Sequence, residues 1–180
     1  MNKQASQKWL DRLYTVRDVL VGWCYRNIQM YQDFERYATT PWRTWTFWLL
    51  RMRYIFDEVD HAASPEETWL HGGGDCEDMA WFCRDRLRKL GFEAHLFRAE
   101  WDKLSAQGIK AHITCIFRPF SSGSWGYMGT GSNEYRAFGL TWREIAERMV
   151  GNRDLVEYGT MDVDSETRKL TYTKKIEVNS

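Results

Sequence analysis

The chain has 180 residues, enough to bury one hydrophobic core. Its 25 basic and 25 acidic residues cancel, so the net charge offers nothing to the phosphates of a nucleic acid, and no nucleic-acid partner is expected. No apolar run reaches the length of about 18 residues that a membrane-spanning helix needs, and the polar start, Met1 to Gln7, is followed by no apolar signal segment. A cytoplasmic location is therefore expected, with no membrane contact. Cys24, Cys76, Cys83 and Cys115 form no CxxC pair and no zinc spacing, so free thiols are expected.

In chain order, residues 8 to 37 have the apolar spacing of a helix, from Leu10 through Leu20 and Cys24 to Ile28. Thr40-Pro41 is a start signal, with Thr40 as cap and Pro41 in the first turn. The helix it opens is expected to bury Trp45, Trp48, Leu49, Met52, Ile55, Phe56 and Val59 as one stripe. Ser64 and Glu67 form a capping box for a short third helix, ended by a turn at His71-Gly72-Gly73-Gly74. A fourth helix starts at Asp75-Cys76-Glu77-Asp78 and runs to about Leu90, with Gly91 as its stop.

After Gly91 the period changes to two. Strands are expected at 93–100, 109–118 and 125–128. Thr141 and Glu144 form a second capping box, for a helix ending at Gly151. Residues 155 to 178 read as a β-hairpin turning near Asp164 to Glu166. The organisation expected is one domain over 1–180, with an N-terminal helix (1–40), a core (41–150) and a C-terminal hairpin (151–180).

The chemistry centres on Cys76. A thiol is a strong nucleophile as thiolate, and the N–H groups and dipole of a helix start favour negative charge and can cradle an oxyanion. The glycines before Cys76 let other backbone approach closely. Asp75, Glu77 and Asp78 oppose a thiolate, so a basic partner is required, and His112 on the second strand is the candidate. His95 reads as structural; His61 and His71 sit at helix ends and loops.

Ser64-Pro65-Glu66-Glu67 followed by Gly72-Gly73-Gly74-Asp75-Cys76-Glu77-Asp78-Met79-Ala80 resembles the core signature of transglutaminase-like proteins, above all the bacterial transglutaminase-like cysteine proteinases. Tyr54 to Asp57, Leu90-Gly91-Phe92 and Lys110-Ala111-His112 resemble further parts of that pattern, over roughly residues 40 to 130. The resemblance implies an α+β fold of the papain-like or transglutaminase-like kind, a helical N-terminal half packed on a small antiparallel sheet. It also implies a cysteine hydrolase, a peptidase first, acting on a protein or peptide amide through a Cys76 thioester, with His112 as base. Acyl transfer to an amine is the other outcome of the same thioester.

One departure matters. The family places a triad Asp just after an aromatic strand, where this chain reads Trp125-Gly126-Tyr127-Met128-Gly129-Thr130, with no carboxylate. Thr130, Ser132, Asn133 and Glu134 follow. Asn133 is the leading candidate for the third member, because an amide can orient a histidine; a backbone carbonyl or water at Gly129 is its main rival, and Glu134 is a further side chain that could substitute. Some relatives hold calcium with the acids beside the Cys, and Asp75 and Glu77 match those positions; helix capping is the competing reading, and no other cofactor is expected. The competing function is a non-catalytic binding or structural module on the same fold, of the kind a phage or mobile element would carry.

Overall fold

The computed structural model describes residues 31–56, 62–102, 111–131, 134–164 and 166–178. The chain divides into two compact units, Met1–Tyr37 and Ala38–Ser180. In the first, α1 covers Tyr31–Tyr37; the rest of the helix expected over 8–37 lies outside the described residues.

The second unit carries everything else. Helix α2 spans Pro41–Arg51 and begins as its sequence dictates, with the Thr40 hydroxyl accepting from Arg43 N–H. It ends earlier than its apolar stripe suggests. Met52 is extended, and Arg53–Tyr54 form a short strand, β1, so Ile55 and Phe56 are 43% and 62% exposed rather than buried in a helix face. The competing pull is backbone pairing: Arg53 N–H donates to Gly72 O and Ile55 N–H to Gly74 O. Val59 lies outside the described residues.

Helix α3, Pro65–His71, has the full Ser64–Glu67 capping box and ends on Gly72 in the left-handed region. Gly73–Gly74 then form β2, parallel to β1, where a plain turn was expected. Helix α4 covers Cys76–Lys89. The sequence predicts a buried stripe of Cys76, Met79, Ala80, Cys83, Leu87 and Leu90; the middle four are buried, while Cys76 and Leu90 at its two ends are only partly covered.

The sheet is antiparallel throughout, in the order β6-β5-β4-β3-β7-β8. Its strands are β3 (Phe92–Trp101), β4 (Ala111–Pro119), β5 (Trp125–Met128), β6 (Tyr135–Leu140), β7 (Leu155–Val163) and β8 (Leu170–Glu177). Helix α4 packs on β3 and β4. Helix α5, Trp142–Val150, opened by the Thr141–Glu144 box, buries Ile145, Ala146 and Val150 against Phe97, Ala99, Ile116, Trp125 and Tyr158. With cover on both sides, β4 is buried continuously from Ile113 to Phe117. The α+β class read from the sequence is the class found. Among the described residues no helix is long and apolar enough to cross a membrane.

Candidate active site

The start of α4 is built by acids. Asp75 is its cap, and its Oδ1 accepts from Glu77 N–H at 3.0 Å and Asp78 N–H at 3.5 Å. Asp78 answers as the N3 member of a capping box, accepting from Asp75 N–H at 3.2 Å and from Ala63 N–H at 2.6 Å. Gly74 has to be glycine here, because a Cβ would collide with the Asp78 carboxylate. These bonds pin the segment before α3, the β2 glycines and the helix start to one another. Cys76 is thus the first residue of a rigid helix, half-covered rather than sealed in the core.

His112 enters from the second residue of β4, opposite Ala99 on β3. Its imidazole is hydrogen-bonded to the Glu134 carboxylate, Nε2 and Oε2 lying 3.2 Å apart, and Cys76 is close enough to interact with it electrostatically. With Nε2 turned to Glu134, Nδ1 is the ring nitrogen left for the thiol. Burial opposes the imidazolium, but the thiol and the carboxylate outweigh it and raise His112 from 6.5 to about 10. Burial likewise opposes the Glu134 charge; His112 and the backbone N–H groups of Gly131 and Thr130 prevail and hold this carboxyl below its ordinary value.

Glu134 reaches His112 from a folded loop. Its backbone closes the loop twice, Gly129 N–H donating to Glu134 O and Glu134 N–H to Gly131 O, and Gly131 N–H binds Oε2. A Cβ on Gly129 would collide with that same Oε2. So the position next to the aromatic strand, where a triad Asp was expected, holds glycine because the carboxylate arriving from Glu134 lies against it. The indole N–H of Trp45 on α2 donates to Gly129 O at 3.0 Å and fixes the loop from the helical side. Asn133 lies outside the described residues. One sequence signal does single out Glu134: it is the only carboxylate between Asp102 and Glu144.

No protein-family model matches the chain, and no curated protein sequence matches it. Among solved structures, calcium-bound LapG of Legionella pneumophila is similar, at 19% identity and a TM-score of 0.49 over 78% of this chain and 70% of that one. A second structure of the same LapG gives 18% and 0.46, over 74% and 67%, and an EGTA-treated one 18% and 0.45, over 73% and 64%.

In this chain itself, a helix that starts on Cys packs against an antiparallel sheet that carries His112, the α+β arrangement expected from the sequence. Beside the thiol a cleft of about 160 Å³ opens between α4 and the sheet, with Ala111, Ile113, Met161 and Leu170 among its walls. Tyr54 stands nearby: burial first, then the negative charges of Cys76, Asp75, Glu77 and Glu134, push its phenol up to about 12, so it stays protonated. A larger hollow of about 680 Å³ lies elsewhere, lined in part by Asp102, Arg143, Glu147 and Arg153, and includes none of Cys76, His112 or Glu134. His95 pairs with Glu93 and sits against Trp125. Cys83 and Cys115 are fully buried, and burial pushes both thiols up, Cys115 to about 12.

Proposed function

We propose that the chain is a transglutaminase-like cysteine hydrolase, a peptidase in the first instance, with Cys76 as nucleophile, His112 as general base and acid, and Glu134 as the group that orients the imidazole. The observation that carries this reading is the Glu134 carboxylate bonded to His112 Nε2 at 3.2 Å, on an imidazole that also interacts electrostatically with Cys76 at the start of α4. Asn133, the other candidate for the orienting role, yields it in this proposal to the neighbouring carboxylate.

The steps follow from the geometry. Below a pH of about 10 His112 holds the proton as imidazolium, and Cys76 Sγ adds to the amide carbon as thiolate. The Asp75 side chain occupies the N–H groups of Glu77 and Asp78, so the Cys76 N–H is the helix-start donor assigned to the oxyanion. His112 then gives its proton to the leaving amine, and a thioester remains. Water adds with His112 as base, releasing the acid and restoring the thiol. Throughout, Glu134 keeps Nε2 protonated and steadies the cation, which replaces the Asp of the expected pattern. The non-catalytic alternative draws on a missing triad Asp and on the high Trp content; the Glu134 carboxylate beside His112 favours the enzyme reading over it.

Calcium at Asp75 and Glu77 is not part of this mechanism. Calcium takes about six to eight oxygens, whereas Asp75 Oδ1 and both Asp78 oxygens accept from backbone N–H groups at the start of α4 and just before α3. Among the described residues no three His, Cys, Asp or Glu side chains gather as a metal-binding group.

The test is a digest of a denatured protein pool with an added fluorescent amine, comparing wild type with Cys76→Ala. New peptide termini made by wild type alone support the peptidase; amine incorporation without cleavage redirects the thioester to transfer. Equal, background-level products from both folded chains would overturn the proposal.

A further inference from the structure

The cleft at the thiol draws two of its seven lining residues from strands that the family resemblance does not reach. Ala111 and Ile113 flank His112 on β4, while Met161 comes from β7 and Leu170 from the first residue of β8, where it pairs with Val163. Met161 is buried and Leu170 half-buried, so neither is a mobile surface side chain. The cleft also meets two charged residues, Glu77 and Arg98. They are of opposite sign, and the Arg98 guanidinium is 2.7 Å from the Glu100 carboxylate. A charged ligand group would therefore find one partner and one repulsion, with desolvation added. An uncharged apolar side chain avoids that repulsion and packs on the Ala111, Ile113, Met161 and Leu170 part of the wall.

Position selects which residue of a peptide enters. The cleft begins at Cys76, and the side chain closest to an attacked carbonyl carbon is that of the residue carrying the carbonyl, one bond away at Cα. We propose that this cleft is the subsite for one apolar side chain of the substrate residue whose carbonyl Cys76 attacks, and that Met161 and Leu170 of the C-terminal hairpin set the size it accepts. The inference rests on Cys76 being the nucleophile. A hairpin that reads from the sequence as an unmatched tail then becomes the specificity element of the enzyme.

Peptidyl chloromethyl ketones ending in Gly, Val, Leu, Phe, Lys or Glu test the subsite directly, because they alkylate the thiol and need no known substrate. In the full-length wild type, Val and Leu probes should react faster than Gly, Lys and Glu probes. Leu170→Trp, which fills the cleft, should cut the Leu-to-Gly rate ratio by about tenfold, the scale on which apolar pockets discriminate. Leu170→Ala should raise the Phe-to-Leu ratio. Ratios that stay the same in all three chains, or a wild-type preference for a charged probe, overturn the subsite while leaving the nucleophile in place. A wild-type Cys76 that reacts with neither the Gly probe nor iodoacetamide overturns the nucleophile, and the subsite with it.

Discussion

A buried imidazole sheds its proton unless nearby negative charge holds it. His112 meets the Cys76 thiol on one side and Glu134 on the other, and its pKa rises to about 10. The folded value lies above the reference of 6.5, so the stabilisation is complete below that reference and is lost as pH rises through the folded value. Thermal melting temperatures should therefore fall between those two limits. In Glu134→Gln the fall should be shallower, and His112 should titrate lower by NMR; an unchanged profile would remove Glu134 from the unit. In turnover, Glu134→Gln should cost about a hundredfold or more with KM little altered, since the orienting group acts through His112. Asn133→Ala is the paired control. If it loses turnover while Glu134→Gln keeps it, the amide is the orienting group.

At the scale of elements, capping made much of the fold legible. Thr40-Pro41, Ser64 with Glu67, and Thr141 with Glu144 mark helix starts that the structure places at those residues. What escaped was set by backbone pairing, which leaves little trace in side-chain pattern. The β1–β2 pair is two residues long and half glycine, and β6 is an edge strand with exposed, non-alternating side chains. The candidate nucleophile was legible because a cap and a glycine turn announce it. The partner of His112 was less so, because a loop delivers it, and which of two neighbouring polar residues arrives depends on how the loop closes around Gly129 and Gly131. The α4 cap carries a prediction of its own. Asp78→Ala removes the acceptor for both Ala63 N–H and Asp75 N–H and should lower urea stability by about 1–2 kcal/mol, with a loss of turnover because Cys76 sits in the same turn. A variant as stable as wild type would show that the cap contributes little.

Across the whole molecule, the sheet separates two kinds of cysteine. Cys83 on α4 and Cys115 on β4 lie in the core, fully buried, and truncating either to Ala should cost about 1 kcal/mol of stability through lost packing while turnover survives. Cys76, at the end of the same helix, meets the cleft instead. Burial alone therefore divides the thiols, before any chemistry is invoked. The direct test is mass-spectrometric mapping of iodoacetamide alkylation in the native chain near neutral pH, for wild type and for His112→Ala. The account predicts rapid modification of Cys76, protection of Cys83 and Cys115 until the chain unfolds, and a loss of the Cys76 rate in His112→Ala of about tenfold or more. Equal slow labelling of the three thiols, or a Cys76 rate indifferent to His112, would contradict it.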